Sequence, residues 1–216
     1  MIAALQKHWL LLAMTAGVAL LWGTPVLVPL KILVVFFHEL SHLITVLLTG
    51  GSVESLSLTS NEGGAVMARG GNRFLTLSAG YLGSLLIGLG LIWAALRSQL
   101  DRWVVAGLGV VLLAVAAFYV RDSFALIFCI AGGALLLALA RFLPHGPNDF
   151  ALRLIGLTSI IYVPLDIFSD TLARAHLHSD ARMLAEEFGG TTMFWGGLWL
   201  MLSLVAVLFA LRGLLR

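Results

Sequence analysis

The sequence predicts an all-α membrane protein, a polytopic bundle of about six to seven transmembrane helices with a short surface β-hairpin. Its 216 residues are 60% hydrophobic and only 11% charged, whereas soluble proteins have about 25% charged residues. The mean hydropathy is +1.02. The apolar residues form long runs, and only helices and closed barrels satisfy the backbone in lipid. This composition excludes a soluble enzyme and a disordered chain.

Seven apolar runs, divided by short polar breaks, are predicted to form the helices. The first run is the shortest, but residues 22–25 after it are a poor cleavage site for a signal peptide, so we interpret it as a helix. Each run can cross a bilayer in helical form. The predicted spans are residues 9–22, 25–48, 74–96, 103–120, 124–143, 151–168 and 192–211.

Residues 52–71 do not resemble a membrane span. Leu56 and Leu58 alternate with small polar residues, and residues 61–64 (NEGG) form a turn signal. This pattern predicts a short β-hairpin at the membrane surface.

Residues 171–190 form a second polar segment. Ser179 or Asp180 can cap a short helix there, and Gly189 can end it. We expect an interfacial helix in an extramembrane loop. Since no internal repeat is visible, residues 1–216 are predicted to form a single membrane-embedded domain.

The charges are few and scattered. Thirteen basic residues against eleven acidic ones give a net charge of +2, and without a clustered basic face nucleic acid is excluded as a partner. The expected environment is the lipid bilayer, with the protein a multi-pass component of the cell membrane. Lys31 lies near the start of the second run and is expected to extend its ammonium group to the lipid headgroups.

The second apolar run contains an HExxH sequence, formed by His38, Glu39 and His42. Residues four apart share one face of a helix, so both imidazoles can bind one Zn²⁺. Glu39 lies beside them and can act as a general base for a water molecule. Ionisable side chains are costly inside a membrane, which favours a functional role. The alternative is a pair of histidines that hydrogen-bond across the bundle, with Glu39 as a neutral acid.

A zinc ion bound by two histidines needs a third protein ligand. Asp166 and Asp170 lie four residues apart near the end of the sixth run, where Pro164 loosens the helix. Asp166 is deeper in the apolar run and is the preferred ligand. Asp170 is the alternative; otherwise it would support the site from outside the ligand set or cap the helix.

At these residues the chain resembles the site-2 protease family of intramembrane zinc metalloproteases. Residues 36–42 (FFHELSH) match the HExxH helix of the family, and residues 164–166 (PLD) match the core of its distant aspartate motif. The resemblance implies a membrane-embedded zinc ion bound by the two histidines and Asp166, with Glu39 as the catalytic base.

The resemblance also implies a β-hairpin that holds an unwound strand of the substrate. The chain looks like a small branch of the family that has only the membrane core, with residues 179–181 (SDA) past the ligand helix. It departs from the fuller aspartate motif, because Ile167 replaces the glycine that follows the aspartate and the upstream asparagine is missing.

The predicted function is hydrolysis of peptide bonds in transmembrane protein substrates, with Zn²⁺ as the cofactor. The sequence does not identify a regulatory membrane partner. The alternative is a catalytically silent relative that binds or retains membrane clients, but such a protein has no need for Glu39 between two metal ligands. A transporter would show repeated halves, which the sequence lacks.

Overall fold

The computed structural model describes residues 9–173 and 178–215. This part of the chain contains eight α-helices and a two-stranded antiparallel sheet. The helices are α1 Trp9–Leu20, α2 Val28–Leu48, α3 Arg73–Arg97, α4 Asp101–Phe118, α5 Ser123–Phe142, α6 His145–Phe168, α7 Asp180–Phe188 and α8 Thr192–Leu215. The strands are β1 Ser52–Leu58 and β2 Gly64–Arg69.

Six helical segments among the described residues are long and apolar enough to cross a membrane. They are Pro25–Leu48, Arg73–Arg97, Asp101–Phe118, Ser123–Phe142, His145–Thr171 and Thr192–Ala210. The protein is therefore a multi-pass membrane protein, as predicted. The first predicted span has only 12 described residues in α1, fewer than the roughly 20 that a bilayer requires.

Helix α2 lies at the centre of the bundle and most of its side chains are buried. A 3₁₀ turn, Pro25–Leu27, leads into it, and Pro29 occupies its first turn, where a missing backbone N–H costs nothing. The helix ends before Gly50, whose φ of +83° turns the chain towards the sheet. The α2 side chains contact α3, α6 and both strands.

The predicted hairpin is present, with Leu56 paired to Val66 and Leu58 paired to Gly64. Both leucines are completely or almost completely buried in the hydrophobic core. The hairpin returns along α2, because its turn residue Glu62 reaches Lys31 near the start of that helix. Lys31 is only 8% exposed, and its ammonium group lies against the Glu62 carboxylate. The expectation that it extends to the lipid headgroups stays a prediction.

The polar segment before α8 also forms the expected helix, α7. The Ser179 hydroxyl caps it by accepting the backbone N–H of Arg182 at 3.3 Å. Gly189 ends it with a φ of +84°. The helix packs against α3 and α8, and its buried face consists of Asp180, Ala181 and Leu184. Asp180 is therefore an acidic residue on an otherwise apolar buried face.

Candidate metal centre

His38 and His42 lie one turn apart on α2, and their ring centroids are 4.6 Å apart. Both rings face α3 at Gly80. A Cβ atom on Gly80 would lie 2.6 Å from His42 Nε2 and closer still to His38 Nε2. The absent side chain therefore makes the space in which the two ring nitrogens converge.

Asp180, the first residue of α7, completes a cluster with the two histidines. Its Oδ2 atom lies 3.0 Å from His38 Nε2 and 3.1 Å from His42 Nε2. All three potential ligand atoms lie within 4.8 Å of one another. Burial by itself raises the pKa of Asp180, but the adjacent charges of His42 and His38 outweigh burial and hold the pKa well below its usual range.

The arrangement of polar atoms in this cluster fits a metal ion. His42 Nδ1 lies 2.7 Å from the Thr76 carbonyl oxygen and donates its hydrogen there. In the neutral form of His42, which metal binding requires, the lone pair is then on Nε2, the nitrogen that faces Asp180. Such a backbone contact is the usual way to fix the tautomer of a metal-binding histidine. Asp180 Oδ2 is buried and no aligned hydrogen bond satisfies it. A cation between these electron-rich atoms would satisfy all of them.

Asp166 and Asp170, the predicted third ligands, lie outside the cluster of potential ligand atoms that contains Asp180, and which of the three aspartates ligates a metal stays a prediction. Asp170 Oδ2 accepts a hydrogen bond of 2.5 Å from the Tyr81 hydroxyl. The rings of Tyr81 and His38 are nearly perpendicular, with their centroids 4.7 Å apart. Asp166 lies on the wall of the same cavity but is not in the cluster of metal-ligating atoms. Helix α7 folds back and brings Asp180 to the histidines, so Asp180 joins Asp166 and Asp170 as a candidate third ligand.

Sequence reasoning treated Asp180 only as a helix cap and as part of the resemblance to a small family branch. A signal was available in the pattern of α7. Asp180 shares the buried face of this short helix with Ala181 and Leu184, and an acidic residue on an apolar face is unusual without a partner. The partner itself, far away in the sequence, could not be found in that pattern.

Glu39 lines a cavity of about 880 Å³ together with both histidines and Asp180. The side chain is 5% exposed and lies against the start of β2, where a Cβ atom on Gly64 would be 2.6 Å from Glu39 Oε1. The hairpin is thus in direct contact with the predicted base.

Strand β2 forms one wall of this cavity, which includes each residue from Gly64 to Ala68. Among the described residues, no strand pairs with its outer edge. Leu56 on β1 donates its N–H to the Tyr119 carbonyl at 2.9 Å, away from β2. The Leu56–Val66 pair is therefore of the non-hydrogen-bonded type, so the N–H and C=O of Val66 point away from β1, towards the open edge.

Residues 11–210 match the family model described as Peptidase M50B-like. No curated protein and no solved structure matches the chain. Because the family model matches most of the chain, the chain belongs to the Peptidase M50B-like family.

Proposed function

We propose that the protein is an intramembrane zinc metalloprotease that hydrolyses peptide bonds of transmembrane protein substrates. One observation carries the proposal: His38, His42 and Asp180 converge beside Glu39 in a cavity that strand β2 also lines. The family supports a metallopeptidase of the membrane, and the geometry supplies the residues for each task.

His38, His42 and Asp180 would hold the zinc ion. Two imidazoles and one carboxylate are a donor set typical of catalytic zinc sites, which keep a fourth position open. When bound, zinc polarises the scissile carbonyl and makes water more acidic. The contact between His42 and the Thr76 carbonyl keeps Nε2 free to ligate.

Glu39 would act as the general base. Its carboxylate accepts a proton from the attacking water and returns that proton to the leaving amine. Burial keeps bulk water from competing for this carboxylate. Tyr81 and Asp170 would hold the His38 ring in place from outside the ligand set, since the phenol is fixed at its far end.

The outer edge of β2 would bind the substrate. A membrane helix must unwind before its peptide bonds can be cut, and its freed backbone groups then need partners in lipid. A strand edge provides such partners by β-addition. The covered strand is β1, where Leu56 already uses its N–H, so Val66 on β2 is the position that can bond to the substrate.

The second candidate, a silent relative that retains clients, is less well supported. Binding alone requires the strand edge and the cavity but not a buried carboxylate between two ligating histidines. Burying Glu39 has a free-energy cost that catalysis would justify.

The deciding experiment compares wild type with Glu39→Gln in liposomes that contain single-span polypeptides with Gly, Asn or Pro near the middle of the span. We expect about one zinc per chain in both proteins and cleavage only by wild type. The control variant His178→Ala changes an exposed histidine that lines the cavity but lies outside the cluster of potential ligand atoms, and it should retain the metal. Absence of zinc from the wild type, or cleavage by Glu39→Gln at the wild-type rate, would contradict the proposal.

A further inference from the structure

Lys31 and Glu62 form an ion pair between α2 and the turn of the hairpin. The Nζ atom of Lys31 lies 3.2 Å from Glu62 Oε1 and 4.8 Å from the centre of the Trp22 ring. Lys31 is buried within a membrane-spanning helix. The contacts with Glu62 and Trp22 are therefore its substitutes for water.

An ion pair in such surroundings resists separation. The Lys31 side chain is 11% exposed and that of Glu62 is 28% exposed, so solvent screens the attraction less than it would on an open surface. Removing Glu62 leaves the buried Lys31 charge uncompensated. Glu62 also has a φ of +60°, a conformation that is uncommon for a residue with a side chain. The turn is therefore held in a defined place by a contact outside the sheet.

The held turn lies directly before the functional part of β2. Gly64, two residues after Glu62, touches Glu39, and Val66 directs its backbone groups to the open edge. A strand advances about 3.3 Å per residue. A displacement of the turn by about 1 Å along the strand would therefore shift the edge relative to Glu39 by about a third of the spacing between residues.

We propose that Lys31 is a positioning residue, which through Glu62 fixes the edge of β2 relative to Glu39 and so determines which substrate peptide bond is cut. This inference rests on the proposed function. A bound strand follows the register of the edge to which it is added. Loss of the ion pair then allows the substrate to bind in more than one register.

A second ion pair of the hairpin provides a matched control. Arg69 and Glu54 join β2 to β1 near the other end of the hairpin, and the Arg69 side chain is 82% exposed. Exposed pairs contribute little. Arg69→Met removes a charge and one ion pair from the same hairpin without touching the turn.

The experiment measures cleavage products by mass spectrometry with a single-span polypeptide weakened by Gly and Asn. For Lys31→Met and Glu62→Gln we expect extra cleavage sites next to the wild-type site and a rise in KM of about tenfold, because small misplacements are costly in catalysis. Zinc content should stay normal. The exchanged pair Lys31→Glu/Glu62→Lys should recover most of the single cleavage site, and Arg69→Met should cleave like wild type.

A measurement without activity separates this inference from the proposed function. Spin labels at Ser60→Cys and Leu48→Cys, in a Cys129→Ala background, report the distance between the hairpin turn and the end of α2. Lys31→Met should broaden that distance distribution, and Arg69→Met should not. An unchanged distribution, or wild-type cleavage sites and KM in Lys31→Met, would overturn the positioning role. Failure of wild type to cleave would instead overturn the protease function.

Discussion

Gly80 on α3 lies directly against the imidazole of His42, at a distance that leaves no room for a Cβ atom. Gly80→Ala should push both rings away from Asp180 and lower zinc affinity by about 10- to 100-fold, as indirect changes at metal sites do. Titration with a competing chelator measures the change. The matched control is Gly90→Ala on the same helix, where nothing lies within 4 Å; equal affinities for the two variants would contradict the close contact.

The assignment of Asp180 predicts a clear difference among three aspartates. Asp180→Ala should lose the metal, because two histidines alone bind zinc weakly. Asp166→Asn should retain it. Asp170→Asn should retain it too and lose activity only partly, since it acts on His38 through Tyr81. Metal analysis of the three purified variants is the test, and loss of zinc from Asp166→Asn alone would restore the original expectation.

Removal of the metal should destabilise the contact between α2 and α7. A ligand that binds only the folded protein stabilises it by about 2.7 kcal/mol at one hundred times its Kd. Chelation should therefore lower the melting temperature of wild type in detergent. Asp180→Ala, which lacks the third ligand, should show little further decrease. A similar decrease in both proteins would show that the chelator acts elsewhere.

The open edge of β2 predicts a strong effect of proline at Val66. Val66→Pro removes the outward backbone N–H, and proline is tolerated at strand edges. Cleavage should fall by an order of magnitude or more, with zinc content unchanged. Val66→Ala keeps the backbone donor and is the control. If both variants cleave at the same rate, the substrate does not bond to this edge.

Gly196 provides a test of packing away from the metal. A Cβ atom there would clash with the Thr171 hydroxyl and lie 2.8 Å from Thr171 Cγ2, whereas its neighbour Gly197 has open space. Overpacking of this kind costs about 1–3 kcal/mol. Gly196→Ala should lower the melting temperature, and Gly197→Ala should leave it unchanged; the opposite order would contradict the described packing of α8.

The sequence revealed the part of the site that depends on local geometry. His38, Glu39 and His42 could be placed because one helical turn fixes their relation, and the helix itself is evident from its apolar residues. Asp180 could not be placed, since nothing in α7 indicates which distant helix its buried face meets. Asp166 was preferred for its depth in an apolar run, and its role as a ligand stays a prediction.

The hairpin, too, could be predicted from local sequence only in part. Alternation around Leu56 and the turn at residues 61–64 predicted two paired strands. Which strand has an open edge depends on the hydrogen bond between Leu56 and Tyr119. Tyr119 lies in the link between α4 and α5, far from the hairpin in the sequence. Likewise, the sequence around Lys31 does not indicate that Glu62 is its partner.

The place of Asp180 in the chain has a consequence for biogenesis. Proteins are synthesised from the N-terminus at about 5–20 residues per second, so α2 and its histidines enter the membrane while α7 has yet to leave the ribosome. In the proposed site, a nascent chain carries the base and two ligands but lacks the third until α7 emerges and folds back. The order of synthesis would therefore delay zinc binding, and with it any hydrolysis, until nearly the whole bundle has been made.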